Sequence, residues 1–99
     1  MSTETQLQDR ISIKVSPPRK FKVVFLNDDS TPMEHVIGLL IKIFGHDEKS
    51  ATDVTLEIHN TGSGVAGLYS FEIAEQKAIE ATNISRSLNY PLKIQVEEE

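Results

Sequence analysis

The chain has 99 residues, 38% apolar and 25% charged, with no cysteine and a net charge of −5. That is enough for one small domain with one core, and it excludes disulfides and thiolate zinc sites. Residues 1–20 carry four basic against two acidic side chains, and residues 21–99 six against thirteen, so the acidic body argues against a nucleic-acid backbone as partner. The acidity suits a cationic or amine-bearing ligand, or simply solubility. No apolar run approaches the roughly 20 residues of a membrane span. The first ten residues lack the apolar region of a secretory signal. A cytoplasmic protein is expected.

Residues 1–20 read as a flexible arm closed by the stiff hinge Ser16-Pro17-Pro18. The alternation Ile11-Ser12-Ile13-Lys14-Val15 forms a strand only if something pairs with it. FKVVFL at 21–26 predicts a first strand. Pro32 stands near the first position of a helix, along which Met33, Val36, Ile37, Leu40, Ile41 and Phe44 recur at the helical period. Gly45 ends it, and Asp47 caps a second helix with Ala51, Val54, Thr55 and Ile58 on its apolar side. Gly62 and Gly64 stop that helix, and VAGLYSF at 65–71 predicts a second strand.

A third helix follows, with Ile73, Ala74, Lys77 and Ala78, Ala81, Ile84 and Leu88 on one side. Asn89 tolerates the left-handed conformation that ends it, and Pro91 blocks continuation. LKIQV at 92–96 predicts a third strand, and Glu97–Glu99 a solvated acidic tail. The fold class expected is α+β, in the order β-α-α-β-α-β. A three-stranded sheet packs against three helices in one core domain, residues 21–97, with residues 98–99 as the tail. There is no internal repeat.

Several motifs carry chemistry on paper. GSGVAG at 62–67 matches the dinucleotide fingerprint G-x-G-x-x-G, but a helix precedes it and a strand follows, so no helix N-terminus faces a phosphate. His35, His46 and His59 lack the spacing that places two ligands on one helix face, and no metal or cofactor is expected. His59 follows Ile58 on a helix packed near the first, within approach of residues 27–29. Asp28 and Asp29 could pair as the acid and base of a small hydrolase, yet such pairs come from separate segments. Thr31-Pro32-Met33-Glu34 has the spacing of a capping box. Capping accounts for one or two of these polar residues, and not for Asn27, Asp28 and Asp29 together.

FKVVFLNDDSTPMEHVIGLL at 21–40, EIH at 57–59, GVAGLYSFEIAEQKA at 64–78 and YPL at 90–92 closely resemble the ClpS family. These adaptors deliver N-degron substrates to a Clp AAA+ unfoldase and its protease. The resemblance implies a cytoplasmic monomeric adaptor with no enzymatic activity and no cofactor. It implies that Asn27 and Asp28 hold a substrate's free α-amino group, with His59 completing the polar end. It implies an apolar pocket walled by Thr31, Met33, Val36, Ile58 and Leu92, with Met33 as gatekeeper. Glu72 and Lys77 match the surface that docks on the unfoldase's N-terminal domain. The sequence departs from the common pattern at Ser30, at His35, at Tyr90 and, inside the pocket, at Thr55, where Met is usual. Three alternatives stand beside delivery: a module that binds N-terminal residues but competes with Clp delivery, a small hydrolase using Asp28 and Asp29, and an interaction domain whose acidic face takes a basic partner.

Overall fold

The computed structural model describes residues 19–99. The expected arm, apart from Arg19 and Lys20, lies outside the described residues. Three strands and three helices follow in the order β1 (Phe21–Leu26), α1 (Met33–Lys42), α2 (Glu48–Thr61), β2 (Ser63–Tyr69), α3 (Phe71–Ser87) and β3 (Lys93–Glu98). This is the α+β arrangement and order expected from the sequence. No helix among the described residues is long and apolar enough to cross a membrane.

β1, the most apolar strand, takes the centre of the antiparallel sheet, in the order β2-β1-β3. It pairs with β2 from Phe21↔Tyr69 to Leu26↔Ser63, with a register shift between Val23 and Val24. It pairs with β3 from Phe21↔Glu98 to Leu26↔Lys93. Val23 and Phe25 are fully buried and face the helices. Burying a Phe side chain such as Phe25 contributes about 2–3 kcal/mol, and its ring meets Phe44 edge to face at 5.4 Å.

α1 contributes Val36, Leu39 and Leu40 to the core, while Ile41, expected on the inner face, is exposed. Leu39 takes its place: Val36, Leu39, Leu40 and Ile43 form the inner face, rotated from the expected one, and the helix stops at Lys42 before the chain turns through Gly45 at φ 73°. α2 starts as expected, with the Asp47 side chain accepting from the Ser50 N–H. It ends at Gly62, whose φ of 98° only glycine adopts without strain. Gly64 is not a helix stop. It lies buried in β2, where an added Cβ would come within 2.8 Å of Ile58 Cγ1, so its lack of a side chain lets β2 pass close to α2.

α3 faces the core with Ala74, Ala78, Ala81 and Ser85. These small residues bring its axis close to the sheet and leave Ile73, Ile84 and Leu88 at the margins, exposed. Phe71, expected in the second strand, instead opens α3 behind Ser70, whose extended backbone (φ −61°, ψ 160°) occupies the N-cap position. β2 correspondingly begins at Ser63. The expected acidic tail is largely strand: Glu97 and Glu98 belong to β3, where pairing with Lys22 and Phe21 holds them. Asn89 takes the left-handed conformation at φ 64°. Arg86 Nη1 then donates to the Tyr90 and Leu92 carbonyls, at 2.8 Å each.

Candidate N-terminal-residue site

The loop between β1 and α1 positions the polar residues. Asn27 is tied at its backbone, its N–H donating to the Gly62 carbonyl at 2.9 Å. That bond brings the end of α2 beside the end of β1, so the last turns of α2 and the first turns of α1 flank one loop.

Asp28 organises that loop. Its Oδ1 accepts from the backbone N–H groups of Ser30 and Thr31, each at 2.8 Å, and its Oδ2 accepts from the Thr31 hydroxyl at 2.8 Å. An aspartate bonding the backbone two and three residues onward fixes a tight turn. A carboxylate has about four acceptor positions; three are filled, which leaves one on Oδ2. Burial pushes the Asp28 pKa up, but the Thr31 hydroxyl, the two backbone N–H groups and the Arg86 charge together outweigh it, and the net shift is downward. A carboxylate held ionised in this way is a poor general acid. The capping box expected at Thr31 and Glu34 does not form: the N-cap of α1 is Pro32, with no side-chain cap. The Thr31 hydroxyl is spent on Asp28 instead.

A hollow of about 230 Å³ opens here, lined by Asn27, Asp28, Asp29, Thr31, Met33, Val36, Thr55, Ile58 and His59. The burial is graded. Val36, Thr55 and Ile58 are at most 5% exposed and form the base. Met33, 40% exposed, stands at the rim with Asn27, Asp29 and His59. Val36 lies one turn after Met33 on α1, and Ile58 one turn after Thr55 on α2, so each helix presents two residues to the same space. Thr55 Oγ1 donates to the Ala51 carbonyl at 2.7 Å, so its only proton is committed and the base offers no free donor.

Of the residues singled out from the sequence, Asn27, Asp28, His59, Thr31, Met33, Val36, Thr55 and Ile58 come together at this hollow. Leu92 does not line it; at 1% exposed, it packs in the main core. Glu72 is exposed in the first turn of α3. Lys77, also on α3, donates from Nζ to the Ile43 carbonyl at 2.7 Å and stands 5.3 Å from the Tyr69 ring centroid. It therefore holds the end of α1, a role its sequence position did not suggest. Asp29 lines the hollow as well. The link from Asp28 to Thr31 was also missed, although the Asp-x-Ser-Thr spacing is a known turn signal.

Residues 16–95 match the family model described as "ATP-dependent Clp protease adaptor protein ClpS". The chain belongs to the ClpS family. A ClpS adapter of Bdellovibrio bacteriovorus is 43% identical over 86 residues, which is 87% of this chain and 75% of that protein. One from Hydrogenovibrio crunogenus is 43% identical over 84 residues, 85% of this chain and 81% of that one. Among solved structures, Agrobacterium tumefaciens ClpS2 bound to L-phenylalaninamide superposes with a TM-score of 0.80 at 37% identity. The match covers 84% of this chain and all of that one. ClpS proteins are adaptors of the ATP-dependent Clp protease.

Proposed function

We propose that the hollow receives the first residue of a substrate polypeptide and that the chain then delivers the substrate to the N-terminal domain of a Clp AAA+ unfoldase. Asn27, Asp28 and His59 hold the free α-amino group. The hollow, with Val36, Thr55 and Ile58 at its base and Thr31 and Met33 nearer its mouth, takes a large apolar first side chain: Leu, Phe, Tyr or Trp. Cargo is bound without chemical conversion, by a monomer acting in the cytoplasm. Glu72 and Lys77 contribute to the face that docks on the unfoldase.

One observation carries this reading: an ionised carboxylate with a single free acceptor position stands at the mouth of a buried apolar hollow. A polypeptide's first residue offers both matching features. Its α-amine, which ordinarily titrates near about pH 8, is mostly charged at neutral pH and presents three donors. An internal peptide group has one donor and no charge. It would leave the rim acceptors unpaired at about 1–3 kcal/mol each. The ligand of the Agrobacterium protein, L-phenylalaninamide, joins a free α-amino group to a benzyl side chain, the same pairing of features.

Fluorescence anisotropy with a Phe-initiated peptide tests the binding half. The free peptide binds and its N-acetylated twin does not; if the two titrate alike, the ammonium reading is wrong. Deleting residues 1–18 tests delivery. Peptide binding survives, and degradation of a Phe-initiated reporter by the unfoldase and protease is impaired.

A further inference from the structure

Three large apolar side chains stand exposed on the two helices that flank the hollow: Met33 at 40%, Ile41 at 39% and Leu56 at 45%. A single exposed apolar residue is ordinary, but these fall on two stripes that both begin at the mouth. On α1, Met33, Ile37 and Ile41 recur every fourth residue and lie in one line along the helix. On α2, Leu56 lies one turn before His59, which stands at the rim. The opposite flank of α2 is occupied, because Val54 and Ile58 meet Gly64 of β2.

α1 and α2 pack along each other. The start of α1 and the end of α2 meet at the hollow, and residues 43–47 join their other ends, so the two helices run antiparallel. That sets Leu56 beside the line from Met33 to Ile41. The result is an apolar seam that leaves the mouth and runs toward the turn between the helices. Just over two helical turns separate Met33 from Ile41, about 12 Å, which is the length of about three to four extended residues.

We propose that this seam is a second subsite, which takes the third residue of a substrate polypeptide and prefers it apolar. The inference rests on the reading of the hollow as the seat of the first residue. With the amine held at Asn27 and Asp28, on the side of the loop between β1 and α1, the chain leaves in the other direction, over Met33. Met33 and His59 belong to both the hollow and the seam, so the exit is continuous with the site. In an extended chain, alternate side chains point the same way. The first points into the hollow, the second points out to solvent, and the third returns to the surface about 7 Å further on. There it meets Leu56 and the half-buried Ile37. An apolar third side chain covers Leu56 and part of Met33, and it gains from the area both lose to water. The second residue gains nothing comparable and is not selected.

Anisotropy titrations of the full chain with C-terminally labelled peptides test this. Phe-Gly-Leu-Gly should bind about fivefold more tightly than Phe-Gly-Gly-Gly, and Phe-Leu-Gly-Gly should gain less than about twofold. In Leu56→Ser the gain from the third residue shrinks below about twofold, whereas the conservative Leu56→Met keeps it. Equal affinities for the first two peptides in the wild-type chain overturn the proposal. So does a gain that survives Leu56→Ser, or one as large at the second residue as at the third. Failure of the hollow reading looks different: free and N-acetylated Phe-Gly-Gly-Gly then titrate alike, and the seam falls with it.

Discussion

The Thr31 hydroxyl donates to Asp28 Oδ2 at 2.8 Å, and this bond aims the carboxylate at the hollow. Asp28 thereby has two functions that substitution can separate. Asp28→Ala removes the anion and all three loop bonds; peptide binding is lost, and stability falls by about 1–3 kcal/mol. Thr31→Val keeps the shape and the anion but loses the aiming bond. It weakens binding by about 1 kcal/mol, roughly fivefold. Anisotropy titrations paired with thermal melts check both. If Thr31→Val abolishes binding as completely as Asp28→Ala, the hydroxyl rather than the carboxylate is the main contact.

A second prediction concerns acid stability, where two groups act in different windows. His35 Nε2 lies 2.8 Å from Ser85 Oγ, whose own proton goes to the Ala81 carbonyl at 2.8 Å. Nε2 must therefore be the donor. Burial lowers the His35 pKa from its ordinary 6.5. A histidine with a lowered folded pKa binds protons more readily when unfolded, so its share of stability is full above about 6.5 and is lost as pH falls through the folded value. Asp28, also lowered, loses its share only at and below the carboxylate range. His35→Phe should flatten the melting-temperature profile between about pH 6.5 and 5 and leave the steeper fall below about pH 4 intact. Parallel profiles for the wild type and the variant in the upper window would remove His35 from the account.

Lys77 supports a third. Its ammonium satisfies the Ile43 carbonyl just past α1, close to the rings of Phe44 and Tyr69. Lys77→Met keeps much of the stem but leaves that carbonyl without its donor, at a cost of about 1–3 kcal/mol. Glu72→Ala, at an exposed helix start, stays within about 0.5 kcal/mol of wild type. Chemical denaturation measures the difference. Equal stability of the two variants would show that the Lys77 bond contributes nothing net.

These cases show which features the sequence made legible. The polar run Asn27-Asp28-Asp29 was visible because it breaks an apolar strand just before a proline-started helix. The helical pairs Met33/Val36 and Thr55/Ile58 were visible because period alone places them on one face. What remained hidden depended on how helices face the core and where they begin. Packing turns α1 so that Leu39 rather than Ile41 enters the core. Starting α3 at Phe71 moves that ring out of β2 and against Phe21, 5.1 Å away. Leu92 shows a further limit: a residue just before a strand can serve the hollow or the core behind it, and only packing decides. Glu97 and Glu98 read as solvated tail because their charges mask strand pairing that β1 imposes through the backbone.

Thr55 yields the last prediction. It is 3% exposed at the base of the hollow, and its hydroxyl is committed to Ala51. The site therefore meets a ligand there with a short side chain that has no spare proton. Thr55→Met extends the side chain into a space of about 230 Å³. Because that space is open, the added atoms find room, and the overpacking cost of about 1–3 kcal/mol seen in filled cores should largely be absent. The ligand bears the change instead. Peptides beginning with Trp or Phe, which need the most depth, should lose about 1.4 kcal/mol, roughly tenfold, relative to those beginning with Leu. Titrating the four first residues against both proteins gives the ranking directly. An unchanged ranking would mean that first side chains stop short of Thr55, and that Met33 and Val36 alone set the preference.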